Sequence, residues 1–234
     1  MCGRYAAAKD TATLVEEFQV EAVIEPAPQA NYNVAPTDQV AVVVARPVDD
    51  APVQRQLRTA RWGLVPSWAK DPSVGSRMIN AQWENAASKP AFRAAFAKRR
   101  CLVPADGYFE WYRTAGPKPR KQPYFIHRVD GTDLAMAGLL EFWRPDPQAP
   151  WLLTVAVLTV PSAGVVVPIH DRMPLVLPES AYTEWLDPAR TVAADFSARL
   201  PMDLLMAHPV GTAVNSVRNN SPELLLPIPA EGSA

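Results

Sequence analysis

The chain has 234 residues, of which 48% are hydrophobic and 20% charged, with a formal net charge of −1, so it is typical of one folded domain and is neither largely disordered nor strongly basic. Two cysteines are too few for a disulfide scaffold. Because these cysteines and the three histidines lie far apart, they have no zinc-type spacing, and the sequence predicts neither a metal nor a cofactor.

Hydrophobic patterning predicts many short strands and a few helices. The first helix, over residues 10–18, has an apolar face, and Thr13 and Glu16 have the spacing of a capping box. The predicted elements in chain order are helix 10–18, strands 39–45 and 56–62, helix 90–98, strands 100–104, 108–112, 122–129, 134–140 and 151–160, helix 179–186 and strand 214–217.

Strands that follow one another do not match alternating βαβ winding, and 25 prolines disfavour a helical bundle. The predicted fold class is therefore α+β, with a single compact domain around a curved, mainly antiparallel, barrel-like β-sheet and peripheral helices. The polar segments 114–122 and 144–150 have the length of hairpin loops. We expect the domain to cover residues 1–227 and residues 228–234 to form a disordered tail.

Charge is distributed unevenly along the chain. Residues 89–128 contain ten basic and two acidic side chains, so this segment carries +8 and the remainder −9. The asymmetry indicates either a face that binds a polyanion or a solvated loop rich in Lys and Arg.

The apolar runs are short. None reaches the roughly 18 residues that span a bilayer, and the polar first residues do not resemble a cleavable leader. We therefore expect a cytoplasmic protein that makes no membrane contact, and we expect it to be a monomer.

Cys2 directly follows Met1. Cellular aminopeptidases usually remove Met1 when the next side chain is small, which would leave Cys2 with a free α-amine beside its thiol. Their ordinary pKa values are about 7.7 to 8.0 and about 8.5, so both groups are partly deprotonated near neutral pH. Such an aminothiol attacks an aldehyde through nitrogen and then closes a thiazolidine ring through sulfur. The alternative is an accidental small residue after Met1.

Glu110 lies in a strand-like run between two aromatic residues. Strand periodicity puts it on the same side as Tyr108 and Tyr112, which predicts a partly apolar pocket. Loss of water there would raise the pKa of the carboxyl group and suit it to acid–base chemistry. A surface carboxylate on a half-buried strand is the alternative.

His170 follows the apolar segment 165–168, which predicts that a strand delivers it into a loop. A histidine there can donate a proton near neutral pH, and Arg172 could hold a phosphate through two parallel hydrogen bonds. A structural histidine is the alternative.

Asn80 and two tryptophans are further candidates. The Asn80 amide offers both a donor and an acceptor, suited to orienting a sugar hydroxyl or the N-terminal amine, although Asn is also a common turn residue. Trp62 and Trp68 could stack on bases, or they could be core side chains.

Six strings of residues, taken together, carry a resemblance to a known family. Their order is similar to that in the SRAP family, the SOS response-associated peptidases, also called abasic site processing proteins, and the resemblance runs from Cys2 to about Pro227. The strings are Met-Cys-Gly-Arg-Tyr at 1–5, Tyr-Asn-Val-Ala-Pro at 32–36, Trp-Gly-Leu-Val-Pro-Ser-Trp at 62–68, Ile-Asn-Ala at 79–81, Cys-Leu-Val-Pro-Ala-Asp-Gly-Tyr-Phe-Glu-Trp at 101–111 and Ile-His-Asp-Arg-Met-Pro at 169–174.

The resemblance implies a protein of the DNA damage response that crosslinks to abasic sites in single-stranded DNA through a stable thiazolidine. The opened sugar of such a site has an aldehyde at C1′, which matches the aminothiol. By resemblance, Cys2 is the nucleophile and Asn80 positions the terminus and the sugar. Glu110 acts as acid and base in Schiff-base formation and reversal, and His170 protonates the sugar oxygen during ring opening.

The resemblance also implies DNA contacts and accompanying activities. Arg4 and Arg172 would contact phosphates beside the lesion, Trp68 would stack or act as a wedge, and Asn33 belongs to the same DNA-binding set. AP-lyase and limited autopeptidase activity would accompany the crosslink. The protein would associate with the nucleoid when it is bound to DNA.

One motif departs from the family pattern. Members usually read Asn-Ala-Arg-x-Glu, whereas this chain has Gln82 at the position of the Arg. Gln82 cannot supply a cationic phosphate contact, which should weaken DNA binding and flatten its salt dependence.

Two other function classes compete with the crosslinking sensor. One is a cysteine peptidase or N-terminal-nucleophile enzyme with Cys2, His170 and Glu110 as nucleophile, base and orienting group. The other is a non-catalytic single-stranded DNA-binding module that uses the basic segment alone.

Overall fold

A computed structural model describes residues 2–47, 52–114, 120–190 and 196–228. In these residues, four short α-helices pack against two sheets, and the predicted α+β class with a curved, barrel-like sheet is confirmed. The helices are α1 Thr11–Glu17, α2 Trp83–Ala86, α3 Arg93–Lys98 and α4 Tyr182–Leu186. The strands are β1 Tyr5–Ala7, β2 Ala22–Val23, β3 Asn31–Val34, β4 Gln39–Arg46, β5 Gln54–Trp62, β6 Asn80–Gln82, β7 Arg100–Ala105, β8 Gly107–Arg113, β9 Lys121–Arg128, β10 Leu134–Trp143, β11 Leu152–Pro161, β12 Arg172–Pro174 and β13 Leu205–Pro209.

The larger sheet closes on itself. Its strand order is β12-β11-β10-β7-β4-β5-β2, and a short parallel pairing of β11 with β5 completes a ring of five strands. Buried side chains of these five strands form much of the main core, including Val43, Leu57, Leu102, Leu139 and Val155. Because the ring is closed, each of its five strands has another strand of the ring on both sides. A barrel in this way avoids the unpaired edges of an open sheet.

The smaller sheet has the order β13-β9-β8-β1-β3. The chain passes from β7 of the barrel into β8 of this sheet at Asp106. The edge-on contact of Tyr5 with Trp62, with ring centroids 5.0 Å apart, packs β1 against the barrel. The N-terminal segment therefore lies where the two sheets meet.

A pair of glycines brings two loops of the barrel together. Gly63 has a φ of 125°, which favours glycine, and a Cβ there would lie 2.6 Å from the carbonyl oxygen of Gly75. The reverse contact, from a Cβ on Gly75 to the carbonyl oxygen of Gly63, would be 2.5 Å. Only glycine at both positions allows this approach, which fixes the loop that carries Trp68 against the segment that leads to Asn80.

The long predicted strands and the hairpin loop at 144–150 are confirmed, with ends that shift by one to three residues. Helix 90–98 is present as the shorter α3, and the first half of helix 179–186 is a 3-10 turn. The predicted capping box of Thr13 and Glu16 was wrong, because the side chain of Asp10 caps α1 by accepting the Thr13 N–H. The strand at 214–217 was also wrong, since a 3-10 turn spans Thr212–Asn215. Most of the predicted tail at 228–234 and the middle of loop 114–122 lie outside the described residues.

The basic segment 89–128 runs through both sheets. Arg100 is buried and donates hydrogen bonds to five carbonyl oxygens, including those of Trp185 and Asp187. Arg99 pairs with Glu141, and the segment divides between the two sheets. Among the described residues of this segment, the exposed basic side chains lie on or just before α3, at Lys89, Arg93 and Lys98, and on or beside the smaller sheet, at Arg113, Arg120 and Lys121. No helix within the described ranges has the length and apolarity needed to cross a membrane.

Candidate active site at the N-terminus

The strand β1 brings Cys2 to the junction of the two sheets. Tyr5 pairs with Tyr108 of β8, and the Phe109 N–H donates to the Arg4 carbonyl at 2.9 Å, so the N-terminal residues run antiparallel to β8. Continuing this register puts Gly3 opposite Glu110. Cys2 and Glu110 therefore come together although they are far apart in sequence.

Cys2 is held tightly and has no exposed surface. Asn80 Nδ2 donates to the Cys2 carbonyl oxygen at 2.6 Å, and the thiol makes a weak contact of 3.9 Å with the Arg4 carbonyl. Burial raises the pKa of the Cys2 thiol, and the nearby Glu110 carboxylate raises it further. The thiol is therefore kept protonated, which is the opposite of an activated thiolate.

Asn80 owes its position to the barrel. It opens β6, which pairs in parallel with β11 so that Asn80 lies beside Val157. The indole N–H of Trp62 donates to the Ile79 carbonyl at 3.0 Å and fixes the preceding residue. Trp62 is buried, so it belongs to the core and is not a base-stacking surface.

Glu110 lies inside the pocket that strand periodicity predicts, with 3% of its surface exposed. Burial raises the pKa of its carboxyl group, while His170 opposes this effect. The Oε2 atom of Glu110 is 4.0 Å from Nε2 of His170. A carboxyl group with a raised pKa can both give and accept a proton near neutral pH.

His170 reaches the site from a 3-10 turn at Gly164–Val166, so the predicted strand before it was wrong. Its Nδ1 atom lies 3.0 Å from the Arg172 backbone nitrogen and 2.8 Å from Oδ1 of Asp171. Nε2 faces Glu110 on the other side of the ring.

Arg172 is held beside His170 by an ion pair. Both terminal nitrogens of its guanidinium donate to Glu84 at 2.9 Å, and one of them also donates to the Thr159 carbonyl at 2.7 Å. Arg172 is thereby fixed in place, with one partly exposed carboxylate as its counter-charge. Its predicted phosphate contact stays a prediction.

Arg4 and Asn33 form one hydrogen-bonded unit. Arg4 donates to Asn33 Oδ1 at 2.8 Å and to the Val214 carbonyl at 3.0 Å, while Asn33 Nδ2 donates to the carbonyls of Ser216 and Asn219. Asn33 is buried, so in this arrangement it positions Arg4 and the 212–219 loop. Its predicted contact with DNA stays a prediction.

Trp68 differs from the other tryptophan of its motif because 65% of its surface is exposed. It lies in the turn between β5 and β6, where the Ala69 N–H donates to the Pro66 carbonyl. An exposed indole on a braced turn is suited to stacking, and the predicted contact of Trp68 with bases stays a prediction.

Sequence reasoning missed several residues of the site. Tyr5 and Tyr108 are buried beside Cys2, and burial raises the pKa of both hydroxyl groups, which a charge on Cys2 would raise further. Glu84 pairs with Arg172, and Asp171 contacts His170. The Asn-Ala-x-x-Glu spacing could have marked Glu84 as a candidate site residue. Its pairing with Arg172, 88 positions away, was not visible in the sequence.

The described part of the chain contains no group of three or more His, Cys, Asp or Glu side chains arranged to hold a metal ion. The arrangement around Cys2 instead combines a protonated thiol, a buried carboxyl group and an imidazole. These are groups that move protons around a nucleophile.

Comparison with known proteins identifies the class. A family model described as SOS response associated peptidase (SRAP) matches residues 1–217, and the chain belongs to this family. Abasic site processing protein YoqW of Bacillus subtilis is 36% identical over 229 residues, covering 96% of this chain and 99% of that protein. Abasic site processing protein YedK of Escherichia coli is 34% identical over 240 residues, covering 97% and 100%.

A solved structure of a protein from Bacteroides thetaiotaomicron matches with a TM-score of 0.80 at 21% identity, covering 97% of this chain and all of that one. This likeness shows a shared fold.

Proposed function

We propose that this protein processes abasic sites in single-stranded DNA by forming a covalent thiazolidine through Cys2 after removal of Met1. The proposal is supported by membership of the SRAP family and by relatives named abasic site processing proteins. The observation that carries it is the site itself. Asn80 anchors the Cys2 carbonyl, and the buried Glu110 carboxyl group lies beside the same residue.

The chemistry needs both groups of Cys2. The freed α-amine adds to the C1′ aldehyde and releases one water, giving a Schiff base. The thiol sulfur then adds to the carbon of the protonated imine and gives up its proton to the Glu110 carboxylate, which closes the thiazolidine ring. A thiol kept protonated by burial retains the proton that this second step transfers.

Glu110 and His170 move protons during these steps. Glu110, whose pKa is raised by burial, gives a proton to the departing hydroxyl group of the carbinolamine and accepts the thiol proton during closure. His170 protonates the ring oxygen of the closed sugar, which frees the aldehyde. Asn80 is a positioning residue because it holds the Cys2 carbonyl.

DNA contacts surround this centre. Arg4 and Arg172 approach phosphates on either side of the lesion, and Trp68 offers an exposed stacking face. Arg172 would exchange part of its pairing with Glu84 for a phosphate, since a guanidinium matches either anion in the same geometry.

The direct experiment mixes the protein with a single-stranded oligonucleotide that contains one abasic site. We expect an adduct that survives denaturation with the wild-type protein and none with Cys2→Ala. The matched control, Cys101→Ala, changes the other buried cysteine and should leave the adduct intact. Equal adduct from Cys2→Ala and wild type would contradict the proposal. It would place the covalent attachment on another residue. No adduct from either protein, together with equal binding of single-stranded DNA, would favour a non-catalytic DNA-binding module.

A second candidate, limited peptidase activity that removes Met1, is favoured by the family's description as a peptidase. Self-processing predicts that Cys2→Ala, produced in cells without methionine aminopeptidase, retains Met1 while the wild type loses it. Intact mass spectrometry reads both outcomes.

A further inference from the structure

His170 has two partners for a single ring nitrogen. The Arg172 backbone N–H points at Nδ1 from 3.0 Å, and Oδ1 of Asp171 lies 2.8 Å from the same atom. A backbone N–H requires a lone pair on Nδ1, whereas a carboxylate requires a proton there. The two hydrogen bonds therefore belong to different protonation states of the ring.

We propose that Asp171 is a positioning residue that takes over Nδ1 when His170 gains its second proton, while the Arg172 N–H holds Nδ1 in the neutral ring. The neutral ring then carries its proton on Nε2, which faces Glu110 at 4.0 Å. The charged ring keeps that proton and adds one on Nδ1, directed to Asp171. This inference rests on the proposed function for its place in the reaction.

The exchange gives His170 two successive roles. The charged ring gives its Nε2 proton to the sugar oxygen and is left neutral with its remaining proton on Nδ1, bound to Asp171. Nε2 then has a lone pair and can accept a proton, as reversal of the adduct requires. Once Nε2 has taken up a proton and Nδ1 has lost its own, Nδ1 again accepts the Arg172 N–H and the first state is restored.

The charged groups around the ring come from three elements. Glu110 faces Nε2 from β8, while Asp171 and Arg172 flank it in the chain. Glu84 of α2 balances the Arg172 guanidinium. The Cys2 amine, once freed, adds a cation on the Glu110 side. Asp171 is therefore the anion on the Nδ1 side, and at 86% exposure its effect is moderated by solvent.

The chain suits a direct test because it has only three histidines. We would follow the ring nitrogens of the free protein by nitrogen-15 NMR across pH, in wild type, Asp171→Asn and the matched control Asp146→Asn. Asp146 is an exposed aspartate at the tip of the β10–β11 hairpin. His127 and His208, which lie on β9 and β13, report whether the fold is intact.

In the wild type we expect the neutral His170 ring to carry its proton on Nε2. The pH at which its signals complete half their change should fall by about half a unit in Asp171→Asn, the size expected for an exposed ion pair. Asp146→Asn should leave it unchanged. The pH dependence of adduct formation should move in the same direction in Asp171→Asn.

An unshifted His170 transition in Asp171→Asn, or a neutral wild-type ring protonated on Nδ1, would overturn the inference. Both NMR measurements use the protein without DNA. A protein that shows the shift but forms no adduct would overturn the proposed function and leave the role of Asp171 standing.

Discussion

At the scale of single residues, the site depends on two side chains that the fold holds against Cys2. Asn80 binds the backbone of Cys2, and Glu110 affects the protonation of its thiol. Strand periodicity indicated a pocket for Glu110 and left a surface position open, and the structure shows the carboxyl group to be buried. Local patterning could not pair Asn80 with Cys2, because the bond joins residues separated by 78 positions, and only the motif and the family resemblance pointed Asn80 to the N-terminus.

Replacement of Asn80 by Asp tests the anchor. The carboxylate has nearly the same shape as the amide but cannot donate to the Cys2 carbonyl, so the terminus loses its position. We expect adduct formation to slow by about tenfold, equivalent to about 1.4 kcal/mol, in single-turnover measurements. Asn85→Asp, five positions further on, is the matched control and should react at the wild-type rate. Equal rates for Asn80→Asp and wild type would show that the anchor is dispensable.

Asp133 provides a residue-scale prediction about stability. It is 5% exposed, and burial raises the pKa of its carboxyl group to about 8, with Asp106 and Glu17 adding to the shift and Lys9 opposing it. An unfolded Asp has a pKa of about 3.9, so the folded state holds a proton that the unfolded chain releases between about pH 4 and pH 8. Stability must therefore fall as the pH rises through this interval.

The variant Asp133→Asn removes this titration. Between pH 5 and pH 9 we expect the wild type to lose roughly 2 to 4 kcal/mol more unfolding free energy than Asp133→Asn, measured by urea denaturation. Asp203→Asn changes an exposed aspartate and should follow the wild type. Parallel pH profiles for Asp133→Asn and wild type would contradict the assignment.

At the scale of elements, long strands were predictable and the short ones that carry the site were not. β4, β10 and β11 have eight to ten residues each and contain long apolar stretches, while the nine residues of β5 are mostly polar and bury Leu57, Ala60 and Trp62. β1, β6 and β12 have three residues each, too few for a periodic signal, and exist because neighbouring strands pair with them. The polar residues they position were visible only as motifs.

The strand β6 also carries the departure from the family pattern. Gln82 is exposed at its end and accepts a hydrogen bond from Asn85 at 3.0 Å. Replacing it with Arg should add one phosphate contact, which raises affinity for single-stranded DNA. It should also steepen the slope of log affinity against log salt by about 0.7.

Fluorescence anisotropy with an intact oligonucleotide at several salt concentrations measures this slope. Gln148→Arg, in the exposed β10–β11 loop, adds the same charge elsewhere and should change the slope less. Equal slopes for the two variants would show that position 82 does not face the DNA.

At the scale of the whole molecule, the barrel and the smaller sheet meet around the N-terminus. Strands in series predicted the α+β barrel, but its closure rests on two parallel residue pairs between β11 and β5, which no local pattern reveals. The charge asymmetry was real in the sequence, yet the fold buries Arg100 and divides the basic segment between the sheets. The polyanion-binding face therefore stays a prediction.

The central claim is that the nitrogen and the sulfur of Cys2 together capture the sugar aldehyde. Mass spectrometry of the N-terminal peptide from the purified adduct, before and after treatment with borohydride, tests it most directly. We expect a peptide that begins at Cys2, carries the sugar with loss of one water and gains no hydrogen on reduction, because a thiazolidine has no C=N bond. A peptide that retains Met1, or a sugar attached to another residue, would contradict the account.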